Sequence, residues 1–473
     1  MADPRATCLA RLGAVVGEPH VLTAAGDIEP YLTDWRGRYR GAAIAVVRPS
    51  GTREVSAVVS VCADLCVPVV PQGGNTGLVG GGTPHERGDA VVVSFTRMNR
   101  VRALDADNAT MTVEAGATLA AVQQAASDAG LAFPLSLASE GTCTIGGNLA
   151  TNAGGTAVLR YGNARESVLG VEVVLADGGV LDLARGLRKD NTGYDLKQLF
   201  IGSEGTLGIV TAVVLKLASA PRSRVTALAA VADVGAAIAL LRHARAALGD
   251  RLTGFELMSA FSLALSRRHH PGSPEPLPGH DWYALIQADD SAEDPALAAR
   301  VEAMLAAAAG LGVVADATIA SSLAQARALW AVRENIAEAQ RREGPNLKHD
   351  ISLPVSRIPA FLDQARRALD AAFPGVRYVV FGHLGDGNLH YNLSAPEGAS
   401  AEAFVAADRL ERAQRIVHDL VVGHGGSISA EHGIGRLKRR ELARVKSPLE
   451  IALMRRIKDA LDPRGLLNPG KVI

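Results

Sequence analysis

From Phe381 to Asn392 the chain reads Phe-Gly-His-Leu-Gly-Asp-Gly-Asn-Leu-His-Tyr-Asn. The Asp386-Gly387 pair at its centre is a preferred filling for a two-residue hairpin turn. Such a turn folds the segment onto itself and fixes its register. With Asp386-Gly387 at the tip, Gly385 faces Asn388, Leu384 faces Leu389, and His383 faces His390. Cross-strand neighbours on one face carry Cβ atoms about 5 Å apart, a span that one metal ion bridges. Asn392 lies two residues past His390 and shares its face. Further along comes Ala430-Glu431-His432-Gly433, and Glu431 is the candidate third ligand. Two imidazoles and one carboxylate leave a coordination position open, as catalytic rather than structural zinc sites do. Imidazole with carboxylate suits several first-row divalent metals, with zinc the expectation. The plainer alternative is a polar hairpin with two surface histidines.

A chain of 473 residues exceeds one ordinary core, so two or three domains are expected. Lys+Arg and Asp+Glu each total 49, so the net charge is zero and no nucleic-acid partner is expected. Cys8, Cys62, Cys66 and Cys143 form no zinc spacing. Cys62 and Cys66 fall at the end of a predicted helix, where they read as packed thiols, and a reduced cytoplasmic location follows. The N-terminus lacks a basic segment followed by a signal-type apolar run. No apolar stretch approaches the roughly 20 residues of a transmembrane helix.

From Ala42 to Leu217 apolar runs alternate with glycine-rich turns. Ala43–Val47, Val67–Pro71, Ala90–Ser94, Thr110–Glu114, Val168–Leu175 and Leu207–Leu217 are predicted strands. Thr52–Leu65 and Leu119–Ala129 are predicted helices, the first with Thr52 as N-cap and Glu54 in its first turn. The character changes near Pro221. Beyond it come predicted helices at Val234–Ala247 and Pro295–Ala309, and strands at Trp282–Ala288 and Val376–Phe381. Ser266–Asp281, rich in proline and glycine, reads as a surface loop, and nothing nearby completes a metal site with its His269-His270 pair. From Arg436 a basic helical stretch leads to Asn468-Pro-Gly-Lys471.

The glycine-rich runs are chemically loud. Pro71-Gln-Gly-Gly-Asn-Thr-Gly77 follows an apolar strand, and bare backbone N–H groups in such a turn can form an anion-binding nest. The run is neither a nucleoside-triphosphate loop nor the dinucleotide fingerprint of nicotinamide enzymes. Thr142-Cys-Thr-Ile-Gly-Gly-Asn-Leu-Ala-Thr-Asn-Ala-Gly-Gly155 adds small hydroxyls and amides, and Gly202-Ser-Glu-Gly-Thr-Leu-Gly208 repeats the theme. Segments this polar need a large polar partner such as a pyrophosphate and ribityl chain.

These runs resemble the FAD-binding domain of the vanillyl-alcohol oxidase and p-cresol methylhydroxylase family. The second half, through Gly-His-x-Gly-Asp-Gly-Asn-x-His and Ser-x-Glu-His-Gly-Ile-Gly, is similar to that family's D-2-hydroxy-acid dehydrogenase branch. The resemblance implies an α+β chain in three parts. They are an FAD-binding domain at 1–220, a substrate- and metal-binding cap with an antiparallel sheet at 221–424, and a C-terminal segment at 425–473 that completes the active site and returns to the FAD domain. It further implies that Gln72, Gly73, Gly74, Asn75, Thr76 and Gly77 hold the FAD pyrophosphate with Gly146, Gly147 and Asn148. Thr142, Thr151, Asn152, Gly154 and Ile209 then line the isoalloxazine and ribityl, and Asn468 joins the cofactor site from the tail. Covalent relatives carry a His where this chain has Asn75, so the FAD is expected to be non-covalent.

Oxidising a 2-hydroxy acid requires that the α-hydroxyl lose its proton, the carboxylate be held, and Cα–H face flavin N5. A metal at His383, His390 and Glu431 would lower the hydroxyl pKa, and His432 is the expected base, its alternative being an orienter of the ligands. The Trp330–Asn335 and Asn346–Pro354 segments look like those that supply a carboxylate-gripping Arg and Lys in this branch. Arg333 and Lys348 are therefore the expected anchors, with Asn392 and His432 also on the substrate. One departure is Ala337, where relatives place a Thr.

The expected substrate is D-2-hydroxyglutarate, with D-lactate or glycolate as the alternative. Further alternatives are an electron-relay flavoprotein subunit and a metal-stabilised binding protein. The expected electron acceptor is an electron-transfer flavoprotein, quinone or cytochrome, and a homodimer is one assembly open to the chain.

Overall fold

In the computed structural model, residues 3–473 are described. They form two compact units. The first comprises the residues up to Gly154, then Gly162–Ala220 and Glu431–Ile473; the second comprises Gly155–Tyr161 and Pro221–Ala430.

The first unit holds two main sheets. One has β1 (Val21–Leu22), β2 (Ala45–Val47), β3 (Val69–Gln72) and β4 (Val91–Ser94) in the order β1-β2-β4-β3, with β2, β4 and β3 parallel. Parallel strands buried on both faces read as unbroken apolar runs, and β2 and β4 are buried at every residue. Helices α1 (Pro4–Val16) and α2 (Thr52–Asp64) cover this sheet. On α2, Val55, Val58, Val59 and Cys62 make one apolar stripe that joins Cys8, Leu12 and Val16 of α1. The second sheet is antiparallel, with β5 (Val101–Asp105), β6 (Thr110–Glu114), β7 (Val168–Val174), β8 (Val180–Asp182) and β9 (Ile209–Lys216) in the order β5-β6-β9-β7-β8. It packs on α3 (Leu119–Asp128) and on α4 (Ile145–Ala150) through Leu119, Val122, Ile145 and Leu149.

Two local expectations fail here. Helix α2 is capped at Gly51 rather than Thr52, and Glu54 reaches back to the Ser50 amide at 2.8 Å. The helix stops at Asp64, and Cys66 takes a left-handed φ of 54°. Its thiol is therefore exposed, not packed.

The second unit is built on one seven-stranded antiparallel sheet. Its strands are β10 (Ser223–Val231), β11 (Leu252–Ser259), β12 (Trp282–Asp290), β13 (Asp316–Ile319), β14 (Asp350–Ser352), β15 (Arg377–His383) and β16 (Asn388–Ser394), in the order β13-β10-β12-β11-β15-β16-β14. Helices cover both faces. On one, Ala229, Phe255, Leu257, Ile286, Val380 and Tyr391 meet α5 (Val234–Leu248), α7 (Leu297–Gly310), α10 (Ile358–Ala372) and α11 (Ala407–Gly423). On the other, Leu228, Met258, Leu285, Val379 and Phe381 meet α6 (Ala260–His269), α8 (Leu323–Glu334) and α9 (Ile336–Glu343). Helix α6 extends through Ser266–His269, so the expected loop is shorter than the sequence suggested. Its His269 Nε2 lies 2.8 Å from Glu343 Oε2. No helix among the described residues is long and apolar enough to cross a membrane.

The tail closes the first unit. It runs beside edge strand β3, with Val69 N–H donating to Leu466 O and Asn468 N–H to Val69 O, both at 2.8 Å. After α12 (Pro448–Leu461), which holds Thr206 O through Lys458 Nζ at 2.7 Å, the chain ends by burying Lys471. Lys471 is 2% exposed and donates to Thr83 O at 2.8 Å.

Burial, with Arg436 adding to it, holds the Lys471 amine down from 10.5 to about 8. Below pH 8 the amine is charged in both folded and unfolded chains. Between 8 and 10.5 only the unfolded chain keeps the proton, so folding stability rises with pH. Against Lys471→Met, the wild type should gain about 3 kcal/mol of relative stability from pH 7.5 to 10.5, read by chemical denaturation. A difference that stays constant with pH would show that the amine remains hydrated.

Candidate functional site

Helices on both faces make this sheet apolar nearly everywhere, so its charged residues stand out. Glu256 is opposite His383, Phe381 is opposite His390, and His390 is opposite Asp350. The Leu347–Leu393 bridge continues the last register and sets Lys348 across from Asn392. Side chains alternate faces along a strand. Glu256, His383, Asn388, His390, Asn392, Lys348 and Asp350 therefore share one face of the second unit.

The predicted turn is wrong in length. Leu384–Gly387 form a four-residue loop, and His390 faces Phe381 instead of His383. The Asp386 and Gly387 amides both donate to His383 O, at 3.2 and 3.1 Å, which closes the wider loop, and on its other side His383 pairs with Glu256 on β11. Inside the loop, Asp386 Oδ1 accepts from the Asn388 amide at 3.0 Å. The shared face survives. The His383 and His390 rings stand 6.0 Å apart, edge to face.

Glu256 organises this face. It is fully buried; its Oε1 is 2.6 Å from His383 Nδ1, and its Oε2 accepts from Arg333 Nε at 2.8 Å. Burial would raise its carboxyl, but His383 and Arg333 bring it down to about 2. A buried carboxylate with its partners in place is tolerated, whereas removing one partner costs about 3–5 kcal/mol. Arg333, on α8, is 7% exposed and lies over the Phe381 ring at 4.7 Å. Its Nε is committed to Glu256, so the Nη pair is what it can present to an anion. Burial raises Asp386, with His383 opposing.

An imidazole fixed at Nδ1 by a carboxylate presents Nε2 as a ligand, the usual orientation in metal sites. The donor set of this face therefore suits a divalent metal. Asn388 Nδ2 donates to Asp350 Oδ1 at 3.0 Å, which steadies Asp350 beside His390. Asn392 is more occupied than the sequence suggests. Its Oδ1 accepts from the His349 amide and its Nδ2 donates to Gln340 Oε1, both at 3.0 Å. What it can still offer a substrate is the second lone pair of Oδ1 and the second N–H of Nδ2. Glu431 and His432 open the segment that belongs to the first unit, directly after Ala430. Both are half-buried.

Glu256 and Asp350 were missed by sequence reasoning. The available signals were a lone acid inside the apolar run Leu252–Met258 and an Asp directly after His349.

In the first unit the glycine-rich runs lie against each other. A Cβ on Gly73 would stand 2.3 Å from Thr144 Oγ1, and one on Gly74 would stand 1.9 Å from Thr142 O. Only bare backbone fits so close an approach. Thr144 caps α4 by accepting from Gly147 N–H at 3.4 Å. Thr142, Gly147 and Gly77 are exposed, and Thr76, Gly146 and Thr151 are half-buried. Such a row of backbone and small hydroxyls fits a pyrophosphate and ribityl chain.

Other predicted cofactor residues hold the loops themselves. Gln72 Nε2 donates to Tyr31 O and Gly82 O at 2.9 and 2.8 Å. Asn75 Nδ2 donates to Thr33 O at 2.8 Å, and Asn152 Oδ1 accepts from Arg165 N–H at 3.0 Å. Asn468 Nδ2 donates to Gly81 O and Glu204 O at 2.9 and 2.8 Å. Asn148, Gly154 and Ile209 are buried, the last at the head of β9.

Residues 43–184 match the family described as FAD binding domain, and residues 220–472 match FAD linked oxidases, C-terminal domain. The chain is 41% identical to mitochondrial D-2-hydroxyglutarate dehydrogenase of Bos taurus, over 96% of this chain and 81% of that one. It is 40% identical to D-2-hydroxyglutarate dehydrogenase of Xanthomonas citri pv. viticola, over 100% and 97%. Among solved structures, p-cresol methylhydroxylase with substrate bound superposes with a TM-score of 0.77 at 16% identity, covering 100% of this chain and 97% of that one.

Proposed function

We propose that this chain, which belongs to the FAD linked oxidases, oxidises D-2-hydroxyglutarate to 2-oxoglutarate. The observation that carries the reading is the buried Arg333–Glu256–His383 chain beside His390, with Lys348 on the same face. It supplies a cationic anchor and an oriented imidazole pair in one small region, and Lys348 supplies charge for a second carboxylate. Relatives with full-length similarity are named for that substrate.

FAD, held over the glycine runs, supplies the hydride acceptor, and its attachment is non-covalent because an Asn75 amide cannot form the linkage that a His makes. A divalent metal on His383, His390 and Glu431, zinc being favoured, would act as a Lewis acid toward the α-hydroxyl. Glu256 keeps His383 in the orientation that such a ligand needs. The Arg333 Nη pair and Lys348 Nζ hold the two substrate carboxylates, and Asn392 Oδ1 accepts from the substrate. His432 would take the hydroxyl proton, and bound FAD would supply the hydride acceptor. The electrons would then go to an acceptor other than a nicotinamide, and the four free thiols suit a reducing, cytoplasmic setting.

Acid precipitation of the holoprotein should leave a colourless pellet and a yellow supernatant. A yellow pellet would refute non-covalent attachment.

Each charge-assisted hydrogen bond contributes about 1.5–3 kcal/mol. Lys348→Met should therefore raise KM for D-2-hydroxyglutarate by roughly 10–100-fold while KM for D-lactate moves little. The assay uses an artificial electron acceptor. Faster wild-type turnover of D-lactate than of D-2-hydroxyglutarate at low concentration would establish the monocarboxylate reading, to which Ala337 already lends some weight.

His432→Ala should slow single-turnover flavin reduction by about 10²–10⁴-fold, the usual range for losing an acid–base group. FAD occupancy and metal content should hold. Near-normal reduction would assign His432 to orienting the ligands instead.

A further inference from the structure

Glu204 is a buried carboxylate that the reading above does not use. It sits in the Gly202–Gly208 run, 7% exposed, with a left-handed φ of 52° that a residue with a side chain rarely adopts. Each of its polar groups has a partner in the first unit. Its N–H donates to Ala150 O at 2.8 Å, and its carbonyl accepts from Asn468 Nδ2 at 2.8 Å. Its Oε1 accepts from the Ile434 amide at 2.6 Å and its Oε2 from the Gly435 amide at 2.8 Å. Those amides follow Glu431-His432 almost at once. Gly433, between them, has a φ of 78°, and a Cβ there would lie 2.8 Å from Glu204 Oε1.

The span from Ile428 to Gly433 is thus anchored at each end. Before it, Ser427 N–H donates to Ser352 O at 2.8 Å, and Ser352 N–H donates to Ser427 O at 3.0 Å. After it, the Glu204 carboxylate holds two consecutive amides. A carboxylate accepting two backbone N–H bonds is a strong, directional clamp. The same residue also grips Ala150, the end of the Ile145–Ala150 helix in the cofactor segment.

We propose that Glu204 is a positioning residue for Glu431 and His432, and that it ties their placement to the flavin-binding segment. This rests on the reading of Glu431 as a metal ligand and His432 as the base. A Glu204→Gln side chain keeps the size but sets an NH₂ against a backbone N–H. One of the two bonds is lost and the turn is pushed away. Gly433→Ala displaces the same turn from the other side, its new Cβ pressing on the Glu204 carboxylate.

The test uses flavin-loaded full-length protein and zinc as the probe. Wild type, Glu204→Gln, Gly433→Ala, the double variant and Glu431→Gln are compared for zinc affinity, flavin absorbance and single-turnover flavin reduction. Glu204→Gln and Gly433→Ala should each bind zinc about 10–100-fold more weakly, the range for losing a group that supports a metal ligand. Flavin occupancy should stay at the wild-type level. The double variant should lose little beyond either single change, because both act through one contact. Excess zinc should restore part of the reduction rate.

Wild-type zinc affinity in both single variants, with Glu431→Gln deficient in zinc, would overturn the positioning role and leave the metal reading standing. Unchanged affinity in all three would overturn both. If Glu204→Gln fails to fold, Gly433→Ala alone decides by the same criteria.

Discussion

A single buried charge dictates the second unit's layout. Glu256 has no exposure to water, and its carboxylate is nonetheless ionised because His383 and Arg333 stand on its two oxygens. Leaving that charge with one partner would cost several kcal/mol, comparable to a large share of a domain's net stability. The fold therefore cannot place His383 or Arg333 freely. Strand β15 must bring His383 opposite β11, and α8 must lay Arg333 over Phe381. The geometry offered to a metal and a carboxylate follows from neutralising one buried acid.

The first unit obeys a different constraint, the close approach of backbone to backbone. The loop after β3 touches the segment before α4 at distances that exclude any side chain at Gly73 or Gly74. Polar side chains that look like cofactor ligands are partly used to hold this arrangement. Gln72, Asn75 and Asn152 all donate to or accept from neighbouring backbone. The surface left for a large polar ligand is made of amides and small hydroxyls. That composition favours recognition of phosphate and ribityl oxygens over recognition of any one base or ring.

What the sequence disclosed follows from the range of the forces involved. Strand β6 falls at its predicted ends, and the other predicted strands of the first half lie within a few residues of theirs, because apolar runs bounded by glycine are local signals; β1, β5 and β8, largely exposed or only two or three residues long, gave no such signal. Helices α2 and α3, starting at their predicted positions, were equally local signals. Failures came where a distant partner decided. Cys66 looked like the next turn of a helix, yet the chain leaves the helix at Asp64. Glu256 gave only the weak signal of one acid among apolar residues, since the histidine that explains it is 127 positions away. Asn392 showed the right face, but not that Gln340 and the His349 amide already hold it.

The hairpin shows why a wrong turn could still yield the right site. The expected pairing set His383 against His390, and the observed one sets Phe381 there, a slip of two residues. A slip of one would have sent the imidazoles to opposite faces of the sheet; a slip of two preserves the face. Strand β15 lies between β11 and β16, so His383 has a neighbour on each side. On the β11 side Glu256 stands straight across and fixes Nδ1, and on the β16 side His390 is a diagonal neighbour, still within reach across the strands. An orienting carboxylate straight across on one side and a second imidazole on the diagonal on the other give His383 both of the relations that a ligand histidine requires.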